Sequence, residues 1–224
     1  MGAADRRREG PRLRLIRSSP SKDHVAHVPV ERFRYAGLAA VVTLWTSIGI
    51  GMYRTGLGFF DDEPVSYLGT DPRSRLLFRG GLLVAAALLA AFSWFVQKTF
   101  STPRSFLAAS LIGLGGQVVA AVVPISGPGS SHGVHTAAGL LLGISLPVLM
   151  WRFAAGQTRG RRRRAAYWLF WLEAAACAVG VELSRSMKAP IAEVLPAGVF
   201  HLWITVVTVR FSSTPGGRRD ARRD

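Results

Sequence analysis

The residues of this chain best spaced for metal chemistry are His132 and His135, three apart, with Glu182 and Glu193 further along. Positions three apart share a helical face. Two histidines and a carboxylate would leave one coordination position open for an activated water, as in a zinc hydrolase. In that reading His132, His135 and Glu193 are the metal ligands, and Ser66 or Asp71 is the catalytic helper. The spacing is neither a His-Glu-x-x-His helix nor a Cys-rich set. Structural roles for both histidines are therefore the simpler expectation, and zinc enters only with the hydrolase; no other cofactor is predicted.

A second group is marked by depth. Glu173 falls about eight residues into one long apolar run and His201 about eleven into the next from the opposite side, so at 1.5 Å per residue both reach mid-membrane and are able to pair. Glu193, Ala197, His201 and Thr205 are spaced four apart and form one polar stripe, which must turn away from lipid. The plain reading is a buried hydrogen-bonded pair that fixes helix register; the sharper one is a proton or ion path, for which one Glu and one His are few. Small residues at four-residue spacing serve close helix contact in lipid. Ala109, Gly113, Gln117 and Ala121 make one such stripe, and Gly139 and Gly143, with His135 a turn above, make another. Both predict that Gln117 and His135 face protein.

The elements that must carry these groups are six runs of about 17 to 21 mostly uncharged residues, each long enough to cross the roughly 30 Å hydrocarbon core as a helix: 33–53, 76–96, 106–124, 133–151, 165–181 and 190–209. The fold class predicted is all-α, a six-helix transmembrane bundle. Residues 1–32 read as a disordered basic arm, 33–211 as the membrane domain and 212–224 as a basic tail. With both ends in the cytoplasm, the Lys and Arg on that side number nine through Arg34, two in 97–105, six in 152–164 and five from Arg210, which is 22 of 28. Four in 54–79 and two in 182–189 remain outside, so the positive-inside rule sets the orientation in a bacterial plasma membrane.

A net charge of +15 would point to nucleic acid in a soluble domain. Here the basic residues alternate with membrane-length runs, so the predicted partners are the bilayer and its anionic headgroups at the basic segments, with no nucleic acid; a homo-oligomer is compatible. The runs such as Arg161–Arg164 read as orientation anchors. The first apolar run is too long for a signal h-region and lacks an A-x-A-like site, so an uncleaved first span is expected. The single cysteine, Cys177, allows no internal disulfide. Two outer connections, about 54–75 and 125–132, are rich in turn formers, and Pro147 and Pro196 lie inside spans four and six, where each removes a helical hydrogen bond. No repeat relates the two halves, which counts against an inverted-repeat transporter.

Glu63-Pro64-Val65-Ser66-Tyr67-Leu68-Gly69 after span one, then Pro72 and Leu77-Phe78-Arg79-Gly80-Gly81, resembles the Pro-x-Ser-x-Leu-Gly loop of the six-span family called domain of unknown function 998. Val123-Pro124 and Gly133-Val134-His135-Thr136-Ala137-Ala138 are similar to its end of span three and its Gly-x-His-x-x-Ala start of span four. Ile191-x-Glu193, Trp203 and Arg210 are similar to its last span. Ile125-Ser126 stands where an acid is usual, and Val194 where an arginine follows the glutamate. The resemblance implies six spans and, as the family's name says, no established activity. The leading expectation is a non-enzymatic membrane protein that binds a lipid or partner through its outer loops and bundle interior. The alternatives are the outer-face metal-assisted lipid or amide hydrolase, and a small proton-coupled transporter using Glu173, Glu193 and His201.

Overall fold

A computed structural model describes residues 30–100, 102–125, 130–158, 160–186 and 190–211. Within them the chain is mostly helical, with no strand. A 3-10 turn, Val30–Tyr35, leads into α1 (Ala36–Thr55); then come a short 3-10 helix, Val65–Gly69, and α2 (Arg75–Thr99), α3 (Arg104–Val122), α4 (Ser130–Gly156), α5 (Arg161–Ser186) and α6 (Pro190–Val206), which widens into a π turn, Val207–Phe211. All six long helices are apolar and long enough to cross a membrane. Their outward faces carry large apolar side chains, among them Val42, Leu111 and Ile144, each more than half exposed. A helix apolar on every side is solvated by lipid, and the chain is a multi-pass membrane protein.

Successive helices pack on one another from α1 to α6, and α6 returns to α1. The Arg34 guanidinium donates through Nε to the Thr208 carbonyl at 3.0 Å, tying the first and last helices at one end of the bundle, the terminal face. The opposite end, the loop face, carries the connections α1–α2, α3–α4 and α5–α6. The half of the core nearer the terminal face is aromatic: Trp203 of α6 meets Phe92 of α2 and Phe153 of α4 edge-on, at 6.2 and 5.3 Å between ring centroids.

Close helix contact relies on glycines, as expected in lipid. The α3 stripe Ala109, Gly113, Gln117 and Ala121 is buried throughout. A methyl group on Gly116, one residue on from Gly115, would lie 2.6 Å from the Ala138 carbonyl of α4, so the two backbones touch there. The second predicted stripe is wrong as a packing surface, because Gly139 and Gly143 have open space where a side chain would go. The four-residue spacing marks a face of α4, but α3 lies against the face holding Ala138, Leu142 and Ser145.

Two helices outrun their apolar windows. The fourth continues to Gly156 because Phe153 and Ala154 are fully buried beyond Trp151. The fifth begins at Arg161, so the four-arginine run, read as a connection, forms its first turn. Arginine is a good helix former, and its charged head reaches the interface along an apolar stem.

Candidate functional site

The loop face is built by mutual capping. Gly56 ends α1 with φ +77°, donating its N–H to the Met52 carbonyl, and this left-handed turn starts the connection to α2. Val65 and Leu68 of the following 3-10 helix are buried, at 4% and 0% exposure, and hold it against the bundle. Ser74 Oγ donates to the Leu68 carbonyl at 2.9 Å and Arg79 Nε to the Gly69 carbonyl at 2.8 Å. The connection in turn caps α6, since the Phe59 carbonyl accepts the Ile191 N–H at 3.2 Å.

Glu193, in the first turn of α6, returns the favour. Its carboxylate accepts the Ser66 N–H at 3.0 Å and the Ser66 hydroxyl at 3.1 Å. The Val65 N–H also donates to it, and the His135 imidazole lies within its coulombic reach. The first N–H groups of a helix have no internal partner, and a carboxylate is the natural acceptor for them. His135 projects from α4 with Nδ1 2.7 Å from the Val123 carbonyl, so that nitrogen carries the proton. Ser66, His135 and Glu193 are thus gathered at one place from three parts of the chain.

His132 and Asp71 are not part of it. His132 is exposed and turns its Nδ1 to the Ile125 carbonyl at 3.2 Å. Asp71 organises the entry to α2, accepting the Arg73 N–H on Oδ1 at 2.7 Å while its carbonyl takes the Ser74 and Arg75 N–H groups. Among the described residues no three His, Cys, Asp or Glu side chains are grouped as a metal would need. His132, His135 and Glu193 are therefore not grouped as a ligand set among the described residues, and each histidine turns its Nδ1 to a carbonyl just beyond α3. Glu182 faces Arg185 across an exposed 3.9 Å ion pair.

A second feature lies inside the bundle. A cavity of about 70 Å³ opens between α1, α2, α3, α4 and α6, walled by Leu, Phe and Trp side chains with a few polar groups among them: Ser93, Ser110, Gln117, Ser145 and His201. Gln117 donates to the Leu82 carbonyl of α2 at 2.8 Å. Ser110 and Ser145 donate to carbonyls of their own helices. His201 is 6% exposed and stands edge-on to Trp45 at 5.8 Å. Among the described residues its Nδ1 has no hydrogen-bond partner, nor has Trp203 Nε1, and both side chains line the cavity.

Glu173 and His201, both deep as expected, do not pair. Glu173 is fully buried on α5, where Cys177 Sγ, one turn on, is 3.5 Å from Oε1, and Oε2 has no partner among the described residues. His201 lies on the face of α6 turned to α1 and the cavity. The polar stripe of α6 is otherwise as read: Ala197 and His201 line the cavity, Thr205 bonds back to the His201 carbonyl at 2.9 Å, and Glu193 meets the loop. The sequence did not single out Ser93, Ser110 or Ser145, and it marked Trp203 only as part of the family resemblance; the available signal was Ser110 one residue from the Ala109 stripe.

A family model described as Protein of unknown function (DUF998) matches residues 38–210, well over half of the chain. No curated protein and no solved structure matches.

Proposed function

We propose that this chain, which belongs to the family described as Protein of unknown function (DUF998), is a membrane-embedded binding protein that admits a lipid-like ligand to its bundle. One observation carries the reading: an apolar cavity lined by two side chains, His201 and Trp203, whose buried nitrogens Nδ1 and Nε1 have no hydrogen-bond partner among the described residues. Binding sites are mostly apolar concavities with a few convergent polar groups. A polar group left unpaired away from water is costly, and lipid offers no replacement. The matching ligand brings an uncharged oxygen, a hydroxyl or carbonyl, on an apolar body. That oxygen would accept from Trp203 and pair with His201; a space of about 70 Å³ takes only this end of the ligand with a few carbons, and the rest of its body would lie outside the cavity in lipid.

The loop face supports this role as a cover over one end of the bundle, held by Glu193, Phe59 and the buried Leu68. We further place both chain ends in the cytoplasm of a bacterial plasma membrane. The terminal face holds Arg34, Lys98, Arg104, Arg152, Arg161–Arg164 and Arg210, against Arg54, Arg73, Arg75, Arg79 and Arg185 toward the loop face, the bias the positive-inside rule describes.

The test is to extract the purified protein with organic solvent and identify bound molecules by mass spectrometry, beside His201→Phe, which keeps the ring and removes the nitrogens. The reading expects a stoichiometric oxygen-bearing amphiphile in the wild type and its loss in the variant. Equal lipid content in the two, with both folded, would overturn it.

The convergence of Ser66, His135 and Glu193 favours a second reading, the lipid or amide hydrolase. Against it, both carboxylate oxygens are already bonded to Ser66 donors, and His135 and Glu193 lack a third ligand among the described residues. Metal analysis of the wild type against His132→Ala/His135→Ala decides: zinc at one equivalent, absent from the double variant, would revive it.

A further inference from the structure

The outward face of the first three turns of α5 belongs neither to the cavity nor to the loop face. Residues 160, 163, 164, 167, 168 and 171 fall on one helical face, and Gly160, Arg163, Arg164, Tyr167, Trp168 and Trp171 line an open, shallow cleft along it. Trp168 and Trp171 are 76% and 63% exposed, and Arg163 sits over the Tyr167 ring at 5.7 Å. Among the described residues none of Arg161 to Arg164 has a carboxylate partner. Four cations at a helix start also stand against the positive end of its macrodipole and beside unsatisfied N–H groups. Every one of these terms is relieved by an anion.

The vertical order identifies which anion. Each helical turn descends about 5.4 Å, so Tyr167 and Trp168 lie one turn below the arginine pair and Trp171 a further turn down. The polar headgroup layer is about 5 to 7 Å deep on each side of the hydrocarbon core. Arginines at phosphate level, amphipathic rings at the boundary and an indole at the top of the chains match one diacyl lipid from head to tail. Orientation by the positive-inside rule needs only charge and is indifferent to where the arginines point. Here Arg163 and Arg164 share the cleft with the aromatics, whereas Arg161 and Arg162 do not. Zwitterionic headgroups bring their own cation and leave the arginine charge uncompensated.

We propose that this face of α5 is a binding site for one anionic phospholipid. Its phosphate oxygens are taken by the Arg163 and Arg164 guanidinium groups, and one acyl chain lies along Trp168 and Trp171. The site is independent of the bundle cavity, which is lined by the other five helices.

The experiment uses the full chain in mixed nanodiscs of phosphatidylglycerol and phosphatidylcholine with matched acyl chains, released for native mass spectrometry. The wild type should retain one phosphatidylglycerol with a preference on the order of tenfold. Arg163→Gln/Arg164→Gln should bring that preference close to unity. Arg161→Gln/Arg162→Gln removes the same charge from the same turn and should leave it within about twofold of wild type. Equal losses in the two double variants would reduce the effect to bulk attraction and overturn the site, as would no preference in the wild type. Displacement of the lipid by millimolar inorganic phosphate would also overturn it, because the tail contacts would then contribute nothing.

Discussion

Glu193→Ala should loosen the connection between α1 and α2 without undocking it, and the structure sets the scale. Pro64 precedes the 3-10 helix in an extended conformation, so the Val65 and Ser66 N–H groups have no acceptor within that helix and depend on the Glu193 carboxylate. Removing a side-chain cap costs about 0.5 to 2 kcal/mol, and the lost bonds are to a charged acceptor that reaches the surface, where water takes its place. We take about 1 to 2 kcal/mol, which at 1.4 kcal/mol per factor of ten is about 5- to 30-fold faster local opening. Amide hydrogen exchange of Val65 and Ser66, read by mass spectrometry in detergent, is the assay. Ser66→Ala keeps the N–H bond at 3.0 Å and loses only the hydroxyl at 3.1 Å, so about 0.5 to 1 kcal/mol, or a two- to fivefold rise, is expected. Leu68→Ala is the upper reference. Leu68 is fully buried, truncating a buried leucine costs about 2 to 5 kcal/mol, and the whole segment should then exchange. Unchanged exchange in Glu193→Ala would refute the capping role. A loss as large as that of Leu68→Ala would refute the ranking of the polar clamp below the apolar anchor.

Gly115→Ala and Gly116→Ala form a matched pair on α3, since the first meets nothing and the second meets the α4 backbone at 2.6 Å. Both gain up to about 1 kcal/mol of helix propensity, but the second adds about 1 to 3 kcal/mol of overpacking, so the first should raise the thermal midpoint relative to the second; equal midpoints would contradict the contact. Glu173→Leu should leave the protein folded and at least as stable in a thermal-shift measurement, because it replaces a fully buried carboxyl with an unpartnered oxygen; unfolding would show that the carboxyl is needed. In a Cys177→Ala background, Ser66→Cys should react with an impermeant maleimide added outside intact cells, and protection until lysis would invert the proposed topology.

The six helices were legible because each apolar run is longer than any buried soluble helix needs, and their interruption by arginine clusters repeats along the chain. Periodicity on α3 also marked a face that is in fact buried. It failed on α4 for a physical reason: in a helix apolar all round, small-residue spacing shows that a face exists and not which neighbour it meets. Ser66, His135 and Glu193 were each singled out by residue type. Their mutual placement was not legible, since Ser66 and Glu193 are 127 residues apart and their bond depends on how a turn-rich connection folds back over the bundle. The cavity was invisible for a related reason. Its polar lining is mostly serine, which in a transmembrane helix bonds to its own backbone and gives no local sign of facing a void. The helical limits of α5 were hidden because four arginines read as a break in hydropathy but not in helix propensity.

Pro147 and Pro196 add one relation among α4, α5 and α6. A proline inside a helix leaves the carbonyl four residues earlier without its donor, here those of Gly143 and Ala192. In lipid such a carbonyl must be covered by protein, and α5 covers both. Cys177 Sγ approaches the Gly143 carbonyl at 3.8 Å. A methyl group on Gly180 would lie 2.6 Å from the Ala192 carbonyl and 3.5 Å from the Pro196 ring, so at this glycine the α5 backbone rests directly on the break in α6. Cys177 and Gly180 are three apart on one face of α5, and Glu173 continues that face one turn toward the terminal end. The helix is thus held by two points that the prolines create, with its opposite face, bearing Trp168 and Trp171, left to lipid. Any bound lipid on that outer face acts on a helix whose inner face meets both proline breaks, and α6 beyond its break carries Ala197 and His201 into the cavity.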